Sequence, residues 1–450
     1  MMDEYRSRWE RLDLICREKF DISLPKALRE NQVDMWIHVV KLGNPDPLAL
    51  DLGVGVSVRC PEPSSGSTGY FVFTDRGGDR IERALLGGFA RQGDIYDIVG
   101  PEEDLGPFVA ERDPKRIAVN MSDWLAVADG LSHTCYLRLV EALGEKYAER
   151  LVSAEQVITD FRDRRVIREI VEYGQLGEAT RRLIERALSN EVITPGVTTR
   201  EDVGWWVKEQ LLARGIEDSF HRLSMPSVIY SESEDFEGYP GPRPHIFQRG
   251  DLFQLDWGFS FMNLGTDMKR TAYILKEGEK AVPPGLQRAW DQGLKARQVL
   301  RENIKVGRTA EETLKIVGDA FEEAGFVWVN LIHNPLYGGG WDKVWEEALD
   351  IRGLGPDEQD KTQVSIDCHC VGNTGNSQIE PGPAICGFRP GRGHLTIKPN
   401  HLFAFELFAN SPIPEWGGYR ARLGLEDDAI VTEDGVQFPY PPNSRILLIG

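Results

Sequence analysis

Two aspartates stand on apolar, strand-like segments in the second half of the chain, where a carboxylate is unexpected. Asp256 lies within residues 254–259, and Asp267 lies within residues 265–271. An ionised carboxylate inside a sheet must be paired, hydrogen-bonded or bound to a metal, because removing it from water is otherwise too costly. The pair therefore predicts a metal site built from carboxylates.

Three further candidate ligands follow along the chain, namely His369, Glu406 and Glu426, each in or beside an apolar segment. Two divalent ions can be held by bridging carboxylates with one imidazole, leaving between them a water or hydroxide that attacks carbonyls. Oxygen-rich ligation favours Mn, with Co, Fe or Zn as the other possibilities. Any single acid among the 71 in this chain is more simply a surface residue. The ordered set is what indicates chemistry.

The order and local contexts of these residues resemble the creatinase/aminopeptidase P/methionine aminopeptidase family of metallopeptidases. The family's Gly-Asp-Leu-x-x-x-Asp-x-Gly segment is matched by residues 250–258. Its Asp-x-x-Arg-Thr segment is matched by residues 267–271, and its final Glu opens a matching segment at residues 426–435. The resemblance covers about the last two thirds of the chain and is closest to Xaa-Pro aminopeptidases and prolidase-like members.

The resemblance implies an α/β (α+β) fold, with an N-terminal creatinase-like α/β domain followed by a C-terminal pita-bread metallohydrolase domain. Its implied ligands are Asp256, Asp267, His369 and Glu426, with Glu406 as both ligand and proton shuttle. A hydroxide bridging two metal ions is expected to attack a scissile amide carbonyl. The expected substrate is a small peptide with Pro after the scissile bond, cleaved as an aminopeptidase or dipeptidase. The resemblance also implies a homodimer.

Substrate-side positions of the family are substituted in this chain. The second active-site histidine corresponds to Asn376, or to Ile379 if a short insertion is allowed. A further histidine that precedes the first ligand corresponds to Tyr239. The Arg that commonly stands two residues before the last Glu is Gly424 here. These losses fall on groups that grip substrate and stabilise the transition state, so substrate choice stays open.

Other donors are therefore expected to replace the missing ones. His245 is the predicted additional catalytic residue, and the predicted substrate-binding residues are Tyr239, His333, Asn376 and Arg422. The substitutions also keep two rival functions open. One is hydrolysis or lyase chemistry on a non-peptide amide or other C–N substrate with the same metals. The other is a non-catalytic binding protein of the same fold.

Helical and strand patterns divide the chain into two predicted domains, residues 1–154 and 155–450. A helical stretch and separated apolar strands in the first predict a mixed sheet with helices. A charge-laced helical pattern over residues 154–190 marks the boundary. Further on, Thr199 is a predicted N-cap with Asp202 three residues later. A second turn and helix repeat this pattern, which predicts two similar halves around one metal site.

Composition excludes several classes of function. A net charge of −19 argues against binding to nucleic acid or to an anionic membrane, which attract Lys and Arg. The charged N-terminus lacks the apolar core of a signal peptide, and no run reaches the length of a membrane span. Six cysteines without disulfide-framework spacing favour the cytoplasm. Cys368 and Cys370 flank His369 and are predicted to pack on the opposite face.

Overall fold

The structure is a computed structural model, and it describes residues 2–41, 43–44, 46–53, 68–88, 95–218, 223–233, 245–331, 354–373, 381–389 and 391–450. The chain divides into two compact units. The first includes Met1–Ile170, and the second includes Val171–Ser377 and Gly382–Gly450. No helix in the described ranges combines the length and apolar character needed to cross a membrane.

The first unit is a mixed sheet with helices, as predicted. Its helices are α1 (Met2–Glu30), α2 (Leu105–Arg112), α3 (His133–Ala148) and α4 (Glu155–Asp163). Its strands are β1 (Met35–Lys41), β2 (Thr68–Thr74), β3 (Glu82–Leu86), β4 (Ile98–Gly100), β5 (Ile117–Val119) and β6 (Leu151–Ser153). Among the described residues the strands form one sheet in the order β4-β3-β2-β1-β5-β6. Apolar side chains of α1, α4 and β1 share a buried core on one face of this sheet.

The second unit contains the predicted ligands. Its helices are α5 (Ile167–Ala187), whose first turn precedes the division between the units, α6 (Arg200–Leu212), α7 (Pro284–Asn303) and α8 (Ala310–Glu323). Its strands as far as residue 328 are β7 (Glu217–Asp218), β8 (Ser227–Tyr230), β9 (Leu252–Trp257), β10 (Phe259–Phe261), β11 (Leu264–Gly265), β12 (Met268–Ile274) and β13 (Val327–Trp328). The later strands are β14 (Gln363–Ile366), β15 (Cys368–Cys370), β16 (Ala384–Ile385), β17 (His401–Ala404), β18 (Leu407–Ile413), β19 (Tyr419–Leu425), β20 (Asp428–Thr432), β21 (Gly435–Gln437) and β22 (Leu447–Ile449).

Three sheets of the second unit carry the residues of interest. Their strand orders over the described ranges are β22-β12-β9-β8, β13-β14-β18-β19 and β16-β15-β17-β20-β21. Helices α7 and α8 supply Trp290, Val317 and Phe321 to a core shared with strands of these sheets. This core gives the strands a fixed support, so polar side chains at their ends are held in place.

The two compact units divide after Ile170, within α5. Helix α4 packs on the first unit, where the Lys19 ammonium donates to the carbonyl of Arg162 at 2.9 Å and pairs with Glu169 at 3.2 Å. The helical pattern over residues 154–190 is interrupted between α4 and α5. A charge pattern identifies the solvent face of a helix but not the core that its apolar face joins. The domain boundary at 154/155 stays a prediction, whereas the compact units divide at 170/171.

The second unit shows the predicted duplication. Thr199 and Asp202 form a capping box at the start of α6, and Thr309 and Glu312 form the same box at the start of α8. Thr199 also forms an isolated antiparallel bridge with Ile246, and Thr309 forms the corresponding bridge to a later segment. Each capped helix is thus tied in the same way to the segment that leads into a strand of the metal-site region.

We predict that Gly258→Ala destabilises the second unit by about 2 kcal/mol. Gly258 links β9 to β10, and a Cβ at this position would overlap the backbone carbonyl oxygen of Thr266, immediately before Asp267. Thermal denaturation of the two proteins measures the loss. Gly393→Ala is the matched control, because its new Cβ would lie 3.6 Å from the Cβ of Glu311, an ordinary contact. Equal melting temperatures for Gly258→Ala and the wild type would contradict this packing.

Candidate metal centre

Three acidic residues of the centre lie where strands leave one sheet and enter the next. Asp367 separates β14 from β15, Glu406 lies between β17 and β18, and Glu426 lies between β19 and β20. Backbone hydrogen bonds hold these breaks together: the amide of Asp367 donates to the carbonyl of Glu406 at 3.2 Å, and the amide of Lys269 donates to that of Glu426 at 3.2 Å. Acidic side chains from distant parts of the chain therefore converge on one place.

The structure brings all five predicted ligands together. One ligand atom each from Asp267, His369 and Glu426 lie within 4.8 Å of one another, and the same holds for Asp367, His369 and Glu406. The carboxylate of Asp256 is joined to this group through the ammonium of Lys269 at 3.0 Å, which also contacts Glu406 and Glu426. Their assignment as ligands remains a proposal, which this geometry supports.

The duplication within the second unit explains why two of these carboxylates meet. The amide of Gly196 donates to the carbonyl of Phe247, and the amide of Gly307 donates to that of Ile397, so the two halves start from the same arrangement. Asp256 follows Phe247 by nine residues, and Glu406 follows Ile397 by the same nine. Equivalent segments of the two halves thus each carry one acid of the centre.

His369 is held as a neutral imidazole. It is buried on β15, and burial, followed by the nearby Arg389 and Arg392, lowers the pKa of His369 well below its usual value. Only the neutral ring offers a lone pair to a metal. Cys368 and Cys370, on the other face, lie in the hydrophobic core, and burial raises the pKa of the Cys368 thiol. The predicted packing role of both cysteines is confirmed.

The carboxyl groups of the centre resist ionisation together. Burial, followed by neighbouring carboxylates, raises the pKa of Asp267 and of Glu426 well above the usual values. Burial also raises the pKa of Glu406 to about 7 and that of Asp428 to about 8. Two like charges 4 Å apart repel by about 4 kcal/mol at an effective dielectric constant near 20. Ionising these acids together therefore requires positive charge close to them.

Several acceptor oxygens are arranged for a cation. In the described part of the chain, Oδ1 of Asp256, Oδ1 of Asp267 and Oε1 of Glu426 are buried and accept no hydrogen bond. Buried acceptors without a partner are rare in proteins because their desolvation is uncompensated. Together with the imidazole of His369, these oxygens fit a divalent ion of borderline or hard character. The residues present therefore fit the predicted metal chemistry.

Lys269 is the residue of this centre that the sequence analysis did not single out. Its buried ammonium lies 2.5 Å from Glu426, 2.6 Å from Glu406 and 3.0 Å from Asp256. Burial acts to lower its pKa, but Asp256, Glu406 and Glu426 raise the pKa of Lys269 well above its usual value. Alternation along β12 was an available signal, because Lys269 lies two residues after Asp267 and therefore on the same face. Its register partner on β9 is Asp256.

Two ion pairs hold the strands beneath the centre. Arg389 donates two hydrogen bonds of 2.6 Å to Asp367, and although burial opposes ionisation, Arg389 lowers the pKa of Asp367 to about 2. Arg270 donates to Asp427 at 2.7 Å. These bonds compensate the burial of two further acids and fix the backbone on either side of His369 and Glu426. Asp367 was also missed as a candidate, and its pairing with Arg389 makes it a positioning residue.

His245 lies at the start of β9, hydrogen-bonded to Asp251, and its predicted catalytic role stays a prediction. Nε2 of His245 lies 2.6 Å from Asp251, which also accepts from Ser231 at 2.5 Å and from the amide of Gln248 at 2.8 Å. Asp251 precedes β9, whereas Asp256 lies near its far end, so the two acids are roughly 16 Å apart along the strand. His245 therefore supports the start of β9.

Arg422 lies on β19 with its guanidinium 4.1 Å from the ring centroid of Phe408, which also lies 5.5 Å from Nζ of Lys269. This places it near the rim of the centre, where its predicted substrate-binding role stays a prediction. The other predicted substrate residues, Tyr239, His333 and Asn376, lie outside the described residues.

The chain is similar to proteins of known family and structure. A family model described as metallopeptidase family M24 matches residues 172–433. No curated protein sequence matches the chain. A solved X-Pro aminopeptidase from Thermotoga maritima MSB8 is 15% identical with a TM-score of 0.56, and the match covers 94% of this chain and 99% of that one.

Two further solved structures are similar. An Xaa-Pro dipeptidase from Bacillus anthracis is 16% identical with a TM-score of 0.54, covering 96% of this chain and 99% of that one. A prolidase from Pyrococcus horikoshii OT3 is 15% identical with a TM-score of 0.51, covering 97% and 100%. At these identities the likeness shows the fold alone, and it confirms the predicted fold class.

We predict that metal-free protein loses stability as the pH rises from about 4.5 to about 8. Over this range folded protein keeps protons on Glu406, with its pKa of about 7, and on Asp428, with its pKa of about 8, whereas the unfolded chain has lost them. Since the folded state binds more protons, the free energy of unfolding falls as pH rises, on the order of 3 kcal/mol per group. Melting temperatures with a chelator and with Mn²⁺ measure this, and Mn²⁺ should restore stability most at high pH.

The controls for this pH dependence are two carboxyl-to-amide substitutions. Glu406→Gln should flatten the fall between pH 5 and 7, whereas Glu323→Gln, an exposed acid at the end of α8, should leave it unchanged. Chelator-treated wild type that is equally stable at pH 5 and pH 8 would contradict the clustering of buried acids.

We predict that His245→Ala acts on stability and not on catalysis. The substitution removes a 2.6 Å hydrogen bond to the buried Asp251 and should cost about 1–3 kcal/mol. Metal content should stay unchanged, and kcat/KM on any substrate found should change by less than about tenfold. His394→Ala, at an exposed histidine of the same unit, is the control for both measurements. If His245→Ala lost activity while its melting temperature stayed unchanged, His245 would have a catalytic role.

Proposed function

Because the chain belongs to metallopeptidase family M24, we propose that it is a metal-dependent hydrolase that cleaves small peptides at an Xaa-Pro bond, as an aminopeptidase or dipeptidase. The observation that carries this proposal is the donor set around His369, in which buried oxygens of Asp256, Asp267 and Glu426 accept no hydrogen bond within the described residues. Such a set is suited to binding a cation, and the family match supports peptide hydrolysis as its chemistry.

The residues of the centre have separable roles in this proposal. Asp267, His369 and Glu426 would hold a divalent ion, which when bound would polarise an amide carbonyl and activate water. Oxygen-rich ligation makes Mn²⁺ the proposed ion, with Co, Fe or Zn as alternatives. The two ions predicted from the sequence fit the centre together only if the ammonium of Lys269 leaves its three carboxylates.

Glu406 is the proposed proton carrier. Its pKa of about 7 allows the carboxyl group to take up and release a proton near neutral pH, as a general acid–base catalyst requires. It lies between two strands whose backbones are hydrogen-bonded on both sides, so its position is fixed relative to His369. A proton taken from the attacking water would then pass to the leaving amine.

Peptide specificity is proposed from the similar solved structures. Those structures are described as an X-Pro aminopeptidase, an Xaa-Pro dipeptidase and a prolidase. This chain has Gly424 where the family commonly has Arg, and Lys269 beside it, so the groups facing the substrate differ. That difference keeps a non-peptide amide or other C–N substrate as the second candidate.

A homodimer and a cytoplasmic location complete the proposal. The homodimer rests on the family resemblance. The location rests on the spacing of the six cysteines in the sequence, which is not that of a disulfide framework.

We predict that Mn²⁺-loaded protein hydrolyses Xaa-Pro dipeptides or tripeptides and that Asp267→Ala lowers kcat/KM by a factor of about 100 or more, with loss of bound metal. The assay is a panel of Xaa-Pro dipeptides, Xaa-Pro tripeptides, peptides without Pro and non-peptide amides. Asp434→Ala is a control, because Asp434 is an exposed acid in the turn between β20 and β21.

The panel separates the candidate functions. Turnover of non-peptide amides alone would replace the peptidase proposal by the second candidate. A protein that binds no metal after reconstitution with Mn, Co, Fe and Zn would overturn the hydrolase proposal in favour of a binding protein.

A further inference from the structure

The ammonium of Lys269 lies at the point in the centre where a cation has the most carboxylate partners. It contacts Asp256, Glu406 and Glu426 at 2.5–3.0 Å, and each of these residues is also a proposed metal ligand. The positive charge of Lys269 thus already neutralises part of the negative charge of the site. It therefore competes with any ion that would use the same oxygens.

The stem of Lys269 is built into the fold. Only 5% of its side chain is exposed, and it is packed against Gly424 on the neighbouring strand. A Cβ at position 424 would lie 2.9 Å from Cδ of Lys269 and 2.8 Å from Oε1 of Gln254. Any larger residue at position 424 would thus collide with the lysine stem. Gly424 provides the room that Lys269 uses.

The backbone also fixes the direction of this side chain. Lys269 is paired with Asp256 in the register of β9 and β12, and its amide donates to Glu426. Residues paired across antiparallel strands project from the same face, so the ammonium is aimed at the Asp256 side of the centre by strand geometry. Leaving this position would require a buried cation to find other partners.

We propose that Lys269 takes the place of one of the two metal ions, so that the chain binds a single divalent ion through His369, Asp267 and Glu426. This inference rests on the proposed metal-dependent function and narrows it. The carboxylates of Asp256 and Glu406 are neutralised by the lysine and not by a second ion. The positive charge of the centre then comes from one divalent ion and from the ammonium of Lys269.

The test is metal stoichiometry, which does not depend on activity. Wild-type protein, dialysed to equilibrium against Mn²⁺ and analysed for metal and protein, should hold about one ion per chain. Its electron paramagnetic resonance spectrum should be that of isolated Mn²⁺. Lys269→Met and Lys269→Thr remove the ammonium and should raise the content to about two ions, with the spectrum of an exchange-coupled pair.

A buried lysine of the first unit supplies the matched control. Lys19 is equally buried and pairs with Glu169, so Lys19→Met removes a buried ammonium outside the centre and should leave metal content as in wild type. Circular dichroism checks that each variant is folded. If neither Lys269 variant folds, the wild-type stoichiometry and spectrum decide by themselves.

The outcomes distinguish this inference from the proposed function. About two coupled ions in wild type would overturn the inference and leave the metal-dependent hydrolase in place. One ion in wild type and still one in a folded Lys269→Met would also overturn it, because the lysine would not be what excludes the second. No ion in any of the proteins would overturn both.

Discussion

The centre of the second unit depends on buried negative charge that must be balanced. Four carboxylates converge around His369, and burial, followed by repulsion between them, raises the pKa of Asp267, Glu406 and Glu426 above the usual values. The fold accommodates this buried negative charge because three basic side chains lie beside the acids. Lys269 enters the cluster itself, while Arg389 and Arg270 neutralise acids behind it. The positions of these three cations determine which carboxylates are already paired and which still have oxygens for a metal ion.

The acids reach one place because the second unit repeats one structural pattern. Capped helices α6 and α8 are each tied to a segment that leads into a strand carrying an acid. A second set of acids lies at interruptions between strands, where the chain passes from one sheet to another. Regular ladders would point alternate side chains to opposite faces. At such an interruption two neighbouring acids have different partners. Glu426 contacts Lys269 within the centre, and Asp427 accepts a hydrogen bond from Arg270.

Substitutions in this chain are concentrated around the metal ligands and not on them. Gly424 stands at a position where the family commonly has a cation, and Lys269 occupies the adjoining space from the next strand. The ammonium of Lys269 thus lies next to Glu426, but it comes from β12 and not from position 424 on β19. Such a change alters which oxygens are free for metal and which groups face a substrate. The metallopeptidase framework is retained while the charge distribution within it differs.

The sequence by itself determined the chemistry of the ligands. Carboxylates on apolar segments, one imidazole and the spacing of the motifs sufficed to predict Asp256, Asp267, His369, Glu406 and Glu426 as ligands, because a buried acid needs a partner in any fold. Alternation also predicted that Cys368 and Cys370 point away from His369. These inferences are local, and local rules of burial and strand geometry decide them.

Only the tertiary structure decided which other charges meet the ligands. Arg389 pairs with Asp367 from a separate loop, Lys269 contacts acids from three separate parts of the chain, and His245 is hydrogen-bonded to Asp251 at the start of β9. The division after Ile170 likewise depends on the core that α4 joins. Pairings between residues far apart in sequence are set by strand register and packing, and a single sequence does not carry that information.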